Sequence, residues 1–139
     1  MHRRNRVHYA VTEQELWDLV GPGESPGVEF KSARASGDKS FPEVAKAALG
    51  MVNRRNGGRI VVGIDDSGQP TGLSTTEVAS WRKPDHVRQL LSPFGDYPIY
   101  IDVVSVTGQS VPALAGRTFV VVRVHPFEHV PVFAASLSR

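Results

Sequence analysis

One pattern narrows the possible folds most: two short strand-like segments separated by a single amphipathic helix. Val28-Glu29-Phe30-Lys31 alternates apolar and charged side chains, the period of a half-buried strand, with Val28 and Phe30 toward a core and Glu29 and Lys31 on the other face. Arg59-Ile60-Val61-Val62-Gly63-Ile64 is an apolar, β-branched run, the mark of a buried strand. Between them, Val44, Ala47, Ala48, Met51 and Val52 recur at helical spacing. Ser40 and Glu43 form a capping box before this helix, with Pro42 tolerated in its first turn. Asn56-Gly57-Gly58 closes it, so a helix is predicted over about 41–54. A strand, a helix and a second strand in one sheet imply a right-handed crossover and parallel pairing.

The remaining segments extend this plan. Thr12 and Glu15 form a capping box, and Leu16, Leu19 and Val20 follow at helical spacing, so a helix is predicted over about 13–20. Residues 33–39 read as a loop and 65–69 as a turn. Ser74 and Glu77 open a short helix to about 82, and Pro84 starts another through Leu91. Ile99–Val106 and Thr118–Val124 read as later strands, antiparallel to each other, with 130–133 as an edge segment. The expected fold class is α/β (α+β): a single domain with a mixed sheet and helices packed on it. A basic arm over 1–11 would precede a domain spanning 12–139.

Composition sets limits on chemistry. There is no cysteine, so disulfides, thiolate zinc sites and a cysteine nucleophile are excluded. No apolar run approaches the roughly 18 residues of a membrane span, so no membrane partner and a cytoplasmic setting are expected. Walker A, G-x-G-x-x-G and G-x-S-x-G motifs are absent. His125 and His129 are four apart, but Pro126 prevents a helix that would align them as metal ligands. Residues 1–60 hold ten Lys and Arg against seven acids, while 61–139 hold six against seven. A basic half suits a polyanion, although ordinary solvated surfaces reach the same balance.

Several segments read together resemble the Schlafen-like AlbA-type domain family. They are Glu24-x4-Glu29-Phe30-Lys31, the helix through Asn53, Asn56-Gly57-Gly58, Gly63-Ile64-Asp65-Asp66-Ser67-Gly68 and the closing Gly72-Leu73. Phe119–Pro126 and Val130-Pro131-Val132-Phe133 extend the similarity across about residues 10–134. The resemblance implies a nucleic-acid-binding α/β domain. Some members cleave tRNA or rRNA with two glutamates, an aspartate and a divalent metal. Carried over, that triad is Glu24, Glu29 and Asp65, with Asp66 a substitute ligand, and the ion would be Mg²⁺ or Mn²⁺. The sequence departs from the family in lacking a Cys/His zinc site, in having one copy of the domain rather than two, and in carrying Arg54 and Arg55 before Asn56-Gly57-Gly58.

The residues also admit a reading of their own. Carboxylates from two neighbouring parallel strands can meet at one edge, repel one another and attract a hard cation. Equally, Asp65 can serve its own turn, and Glu29 with Lys31 can be a solvated ion pair. Arg54 and Arg55 suit a helix C-terminus as well as a phosphate. Lys31, Arg34 and Lys39 join them as candidate phosphate contacts. Trp17, Phe30, Phe41 and Phe119 read as packing residues, while Phe94, Tyr97 and Tyr100 offer a stacking edge. Two functions follow: a metal-dependent endoribonuclease acting on tRNA-like RNA, or a non-catalytic DNA-binding regulatory module, with a nucleotide-binding role third. For the first, one small lobe suggests a homodimer that rebuilds a two-lobed groove.

Overall fold

The computed structural model describes residues 9–36, 41–82 and 99–126. Its elements in chain order are α1 (Glu13–Val20), β1 (Val28–Lys31), a 3-10 turn (Ala33–Ser36), α2 (Phe41–Val52), β2 (Gly58–Val62), α3 (Thr75–Trp81), β3 (Ile101–Thr107) and β4 (Thr118–Val124). The sheet order is β1-β2-β4-β3. β1 and β2 are parallel, as the intervening helix requires, and the other pairings are antiparallel. The fold is therefore α+β with a mixed four-stranded sheet.

Helices cover both faces of that sheet. On one face α2 and α3 bring Val44, Ala48, Met51, Val52, Val78 and Trp81 onto Ile60, Val62, Val120, Val122 and Val124. The small side chains of Ala45 and Ala48, at most 1% exposed, let α2 lie close to the strands. On the other face Leu16 and Val20 of α1 pack on Val61, Val106, Phe119 and Val121, with Leu114 from the β3–β4 connection. Burying both faces explains why β2 and β4 read as near-continuous apolar runs rather than alternating ones.

Local signals account for the helix starts. Thr12 Oγ1 accepts from Glu15 N at 3.0 Å, and Thr12 N donates to Glu15 Oε1 at 2.8 Å. Ser74 and Glu77 do the same at 3.2 and 2.8 Å. Ser40, the proposed cap of α2, lies outside the described residues, as do the helix from Pro84 and the segment 130–133.

Three expectations are corrected. First, α2 ends at Val52, not 54, and the chain turns twice before β2: Arg54 N donates to Met51 O and Gly57 N to Arg54 O. Arg54 and Arg55 thus follow the helix instead of lying in its last turn. Second, Ala33–Ser36 is a 3-10 turn rather than open loop, fixed because Ala35 is buried and the Trp81 indole donates to Ser36 Oγ at 2.9 Å. Third, Glu29 and Lys31 do not form a fully solvated face. Glu29 stands opposite Ile60 and Lys31 opposite Val62, which puts both on the α2 side, and the Lys31 side chain is only 18% exposed.

The β3–β4 connection, too long for a tight hairpin, is held by α1. Glu13 accepts backbone N–H bonds from Gln109, Ser110 and Val111 at 2.7–2.9 Å. These bonds, the Ser110 one foremost, hold the Glu13 carboxyl below the usual glutamate range. Tyr9 and Val11, at the end of the expected arm, are packed. Val11 joins the α1-side core and the Tyr9 ring lies 4.0 Å from the Arg123 guanidinium.

Candidate functional site

The expected acids sit around β1, each with its own partner. Arg59 N donates to Gly27 O and Gly63 N to Lys31 O, so odd-numbered residues of this segment bond to β2. The N–H of Phe30 consequently points away from β2. Glu24 reaches it, its Oε2 accepting from Phe30 N at 2.8 Å. Glu24 therefore satisfies a strand-edge donor that would otherwise be open to another chain.

Glu29 lies 3.6 Å from Lys31 Nζ. Beyond β2, Asp65 organises its own turn. One carboxylate oxygen accepts from Ser67 N at 3.0 Å, Ser67 Oγ at 2.7 Å and Gln69 N at 2.8 Å. The Ser67 hydroxyl, followed by the Gln69 amide, holds the Asp65 carboxyl below its ordinary range. Asp66 lies 3.3 Å from Arg34 Nη2, and both side chains are exposed, so the pair contributes little to stability.

Among the described residues no three His, Asp or Glu side chains gather as a possible metal site. Glu24, Glu29, Asp65 and Asp66 are all described, so the structure does not bring the expected ligand set together. Local partners orient these acids: one oxygen of Glu24 is held at the edge of β1, and one oxygen of Asp65 by the 65–69 turn. No cleavage step is derived through these residues.

The cations divide between the two ends of β1. Arg34 and Lys31 lie toward its C-terminal end, each facing an acid. Arg54 and Arg55 lie toward its start. The position of a Cβ on Gly27, just before β1, would fall 3.9 Å from Arg54 Nε. Both arginines are exposed, and among the described residues neither side chain has an acidic partner. Lys39, Phe94 and Tyr97 lie outside the described residues, while Tyr100 is 61% exposed, as a stacking surface requires.

The sequence reading missed a second charged group on the α1 side. Arg59, Arg123 and Asp102 occupy directly opposed positions on β2, β4 and β3. Asp102 Oδ2 accepts from Arg123 at 2.6 and 2.9 Å and lies 2.6 Å from His125 Nε2. Partial burial acts to raise the Asp102 carboxyl, but the bonds from Arg123 and His125 outweigh it and leave it lowered. The signal was present: arginines at matching phases interrupt two otherwise β-branched strands. Nothing in a single sequence shows that α1 leaves that end of the sheet uncovered.

This is an α+β domain whose mixed sheet carries helices on both faces and exposed arginines beside an outer strand. Residues 24–138 match the family model Schlafen, AlbA_2, and the chain belongs to that family. Among solved structures it is similar to the DIP2311 protein from Corynebacterium diphtheriae, at 18% identity and a TM-score of 0.52, covering 81% of this chain. The match spans 25% of that protein's chain, and the likeness concerns the fold alone. No curated protein matches. Among the described residues no helix is long and apolar enough to cross a membrane.

Proposed function

We propose that this domain binds nucleic acid, chiefly through backbone phosphates, with Arg54 and Arg55 as principal contacts. The observation that carries this reading is the pair of adjacent exposed guanidiniums on the α2–β2 turn, without acidic partners among the described residues. Lys31 and Arg34 are secondary contacts, since each would have to share its charge with Glu29 or Asp66. Lys39 extends the same basic stretch in sequence. Family membership supports a nucleic-acid role. A duplex offers more phosphates than one lobe of this size spans, so a homodimer forms the complete groove.

The test is fluorescence anisotropy with tRNA, single-stranded DNA and duplex DNA at two salt concentrations, with sedimentation to report the dimer. The double change Arg54→Ala/Arg55→Ala should weaken binding similarly across sequences. It should also lower the magnitude of the log-affinity against log-salt slope by about 1.5–2, the share of two phosphate contacts. Unchanged affinity and slope in the double variant would refute the assignment.

A further inference from the structure

On the α1 side of the sheet an open cleft of about 630 Å³ is lined by residues of α1, β2 and β4. Its lining includes Tyr9, Glu15, Asp18, Leu19, Arg59 and Arg123. That volume is within the range of small-molecule pockets and ample for one heterocycle. Arg54 and Arg55 are not among its lining residues.

Three features limit what it can hold. Arg59 makes one side-chain hydrogen bond among the described residues, Nη1 to Gly58 O at 3.3 Å, so most of its five N–H donors are unspent. Glu15 and Asp18 lie three apart on α1 and therefore on one side of the helix. One oxygen of each is used, by Thr12 N and by Gln14 Nε2 respectively, which leaves the second oxygen of each as an acceptor. Tyr9 and the Arg123 guanidinium form a stacked planar wall, and Asp102 holds Arg123 in place.

A bare phosphate would meet Glu15 and Asp18 as like charges. A simple cation would meet the arginines. A ligand that presents acceptors on one edge and donors on another, with a flat face, suits all three features. Guanine does so: O6 and N7 accept from a guanidinium, N1–H and N2–H₂ donate to a carboxylate, and the ring stacks. Adenine sets a donor beside N7, which calls for an amide, and among the described residues the lining contains no Asn or Gln. We propose that this cavity is a base pocket for an unpaired guanine, with Arg59 reading O6/N7, Asp18 or Glu15 reading N1–H/N2–H₂, and Tyr9 with Arg123 forming the stacking wall.

The probe is guanosine 5′-monophosphate titrated into the full chain, followed by two-dimensional NMR, with AMP, CMP and UMP as competitors. The monophosphate engages the cavity without a phosphate track, so its outcome is separate from that of the strand-binding test above. The expected result is perturbation at Tyr9, Arg59 and Asp18, with a preference for GMP of about tenfold or more, the worth of one bidentate base contact. Asp18→Asn, at an exposed helix position, should fold normally and abolish the preference, and Arg59→Gln should do likewise. Equal affinities for the four nucleotides, no binding, perturbation elsewhere, or a guanine preference that survives Asp18→Asn would each overturn the proposal.

Discussion

Gly57 offers a sharp test of how α2 is joined to the sheet. Its φ is +64°, in the left-handed region, and a Cβ there would fall on the Val124 carbonyl oxygen, far inside contact distance. Pro126 Cδ and N would lie 3.1 Å away. These obstacles are backbone and ring atoms at the end of β4, where Gly58 pairs with Val124 and His125 N donates to Tyr100 O. Gly57→Ala therefore incurs two costs. The left-handed conformation costs about 1–2 kcal/mol, and forced displacement of a packed strand about 1–3 kcal/mol more. Gly68 separates them, because its φ is +87° but nothing lies within 4 Å of its Cβ position. Gly68→Ala should show only the first cost, and the gain from a stiffer unfolded chain is common to both variants. Urea unfolding followed by circular dichroism and tryptophan fluorescence should place Gly57→Ala about 1–3 kcal/mol below Gly68→Ala. At roughly 3 °C per kcal/mol for a chain of this size, the melting points should differ by about 3–9 °C. Equal destabilisation would refute the claim that Gly57 is fixed by close packing on β4 as well as by the turn it makes before β2.

Other outcomes follow from the same structure. Leu16→Ala, at a fully buried position against Val61, Phe119 and Val121, should cost about 3–4 kcal/mol by chemical denaturation, because the paired strands cannot collapse into the space. The folded-state pKa of Glu13 is lowered, so its bonds to the 109–111 backbone stabilise fully above the unfolded glutamate value and are lost as pH falls through the folded one. The urea midpoint of wild type should therefore exceed that of Glu13→Gln near about pH 7, with the gap closing toward about pH 3. Glu24→Ala uncovers the Phe30 N–H and should increase concentration-dependent self-association, measured by light scattering. Glu29→Ala removes the acid 3.6 Å from Lys31 and should hold or raise nucleic-acid affinity in the anisotropy assay, whereas a loss would count against Lys31 as a phosphate contact.

The parts legible in the sequence are those decided by neighbours along the chain. Thr12/Glu15 and Ser74/Glu77 placed two helix starts because a capping box closes within four residues. The β-branched runs gave β2 and β4, and the intervening helix required β1 and β2 to be parallel. The nature of the Asp65 turn was also foreseeable, since Asp-Asp-Ser-Gly forms it from its own side chains. Whether distant acids converge was not foreseeable. Family resemblance pointed to Glu24, Glu29 and Asp65, yet Glu24 turned to an edge amide that exists only once β1 pairs on one side. The same limit hid Arg59 and Arg123. Alternation along each strand shows which way a side chain points, but the register between β2, β4 and β3 aligns them, and the reach of α1 leaves them uncovered. Element type and order were thus set by local hydrogen bonding and hydrophobic period. The grouping of charges was set by strand register and layer packing, because contacts between distant segments have no counterpart in local spacing.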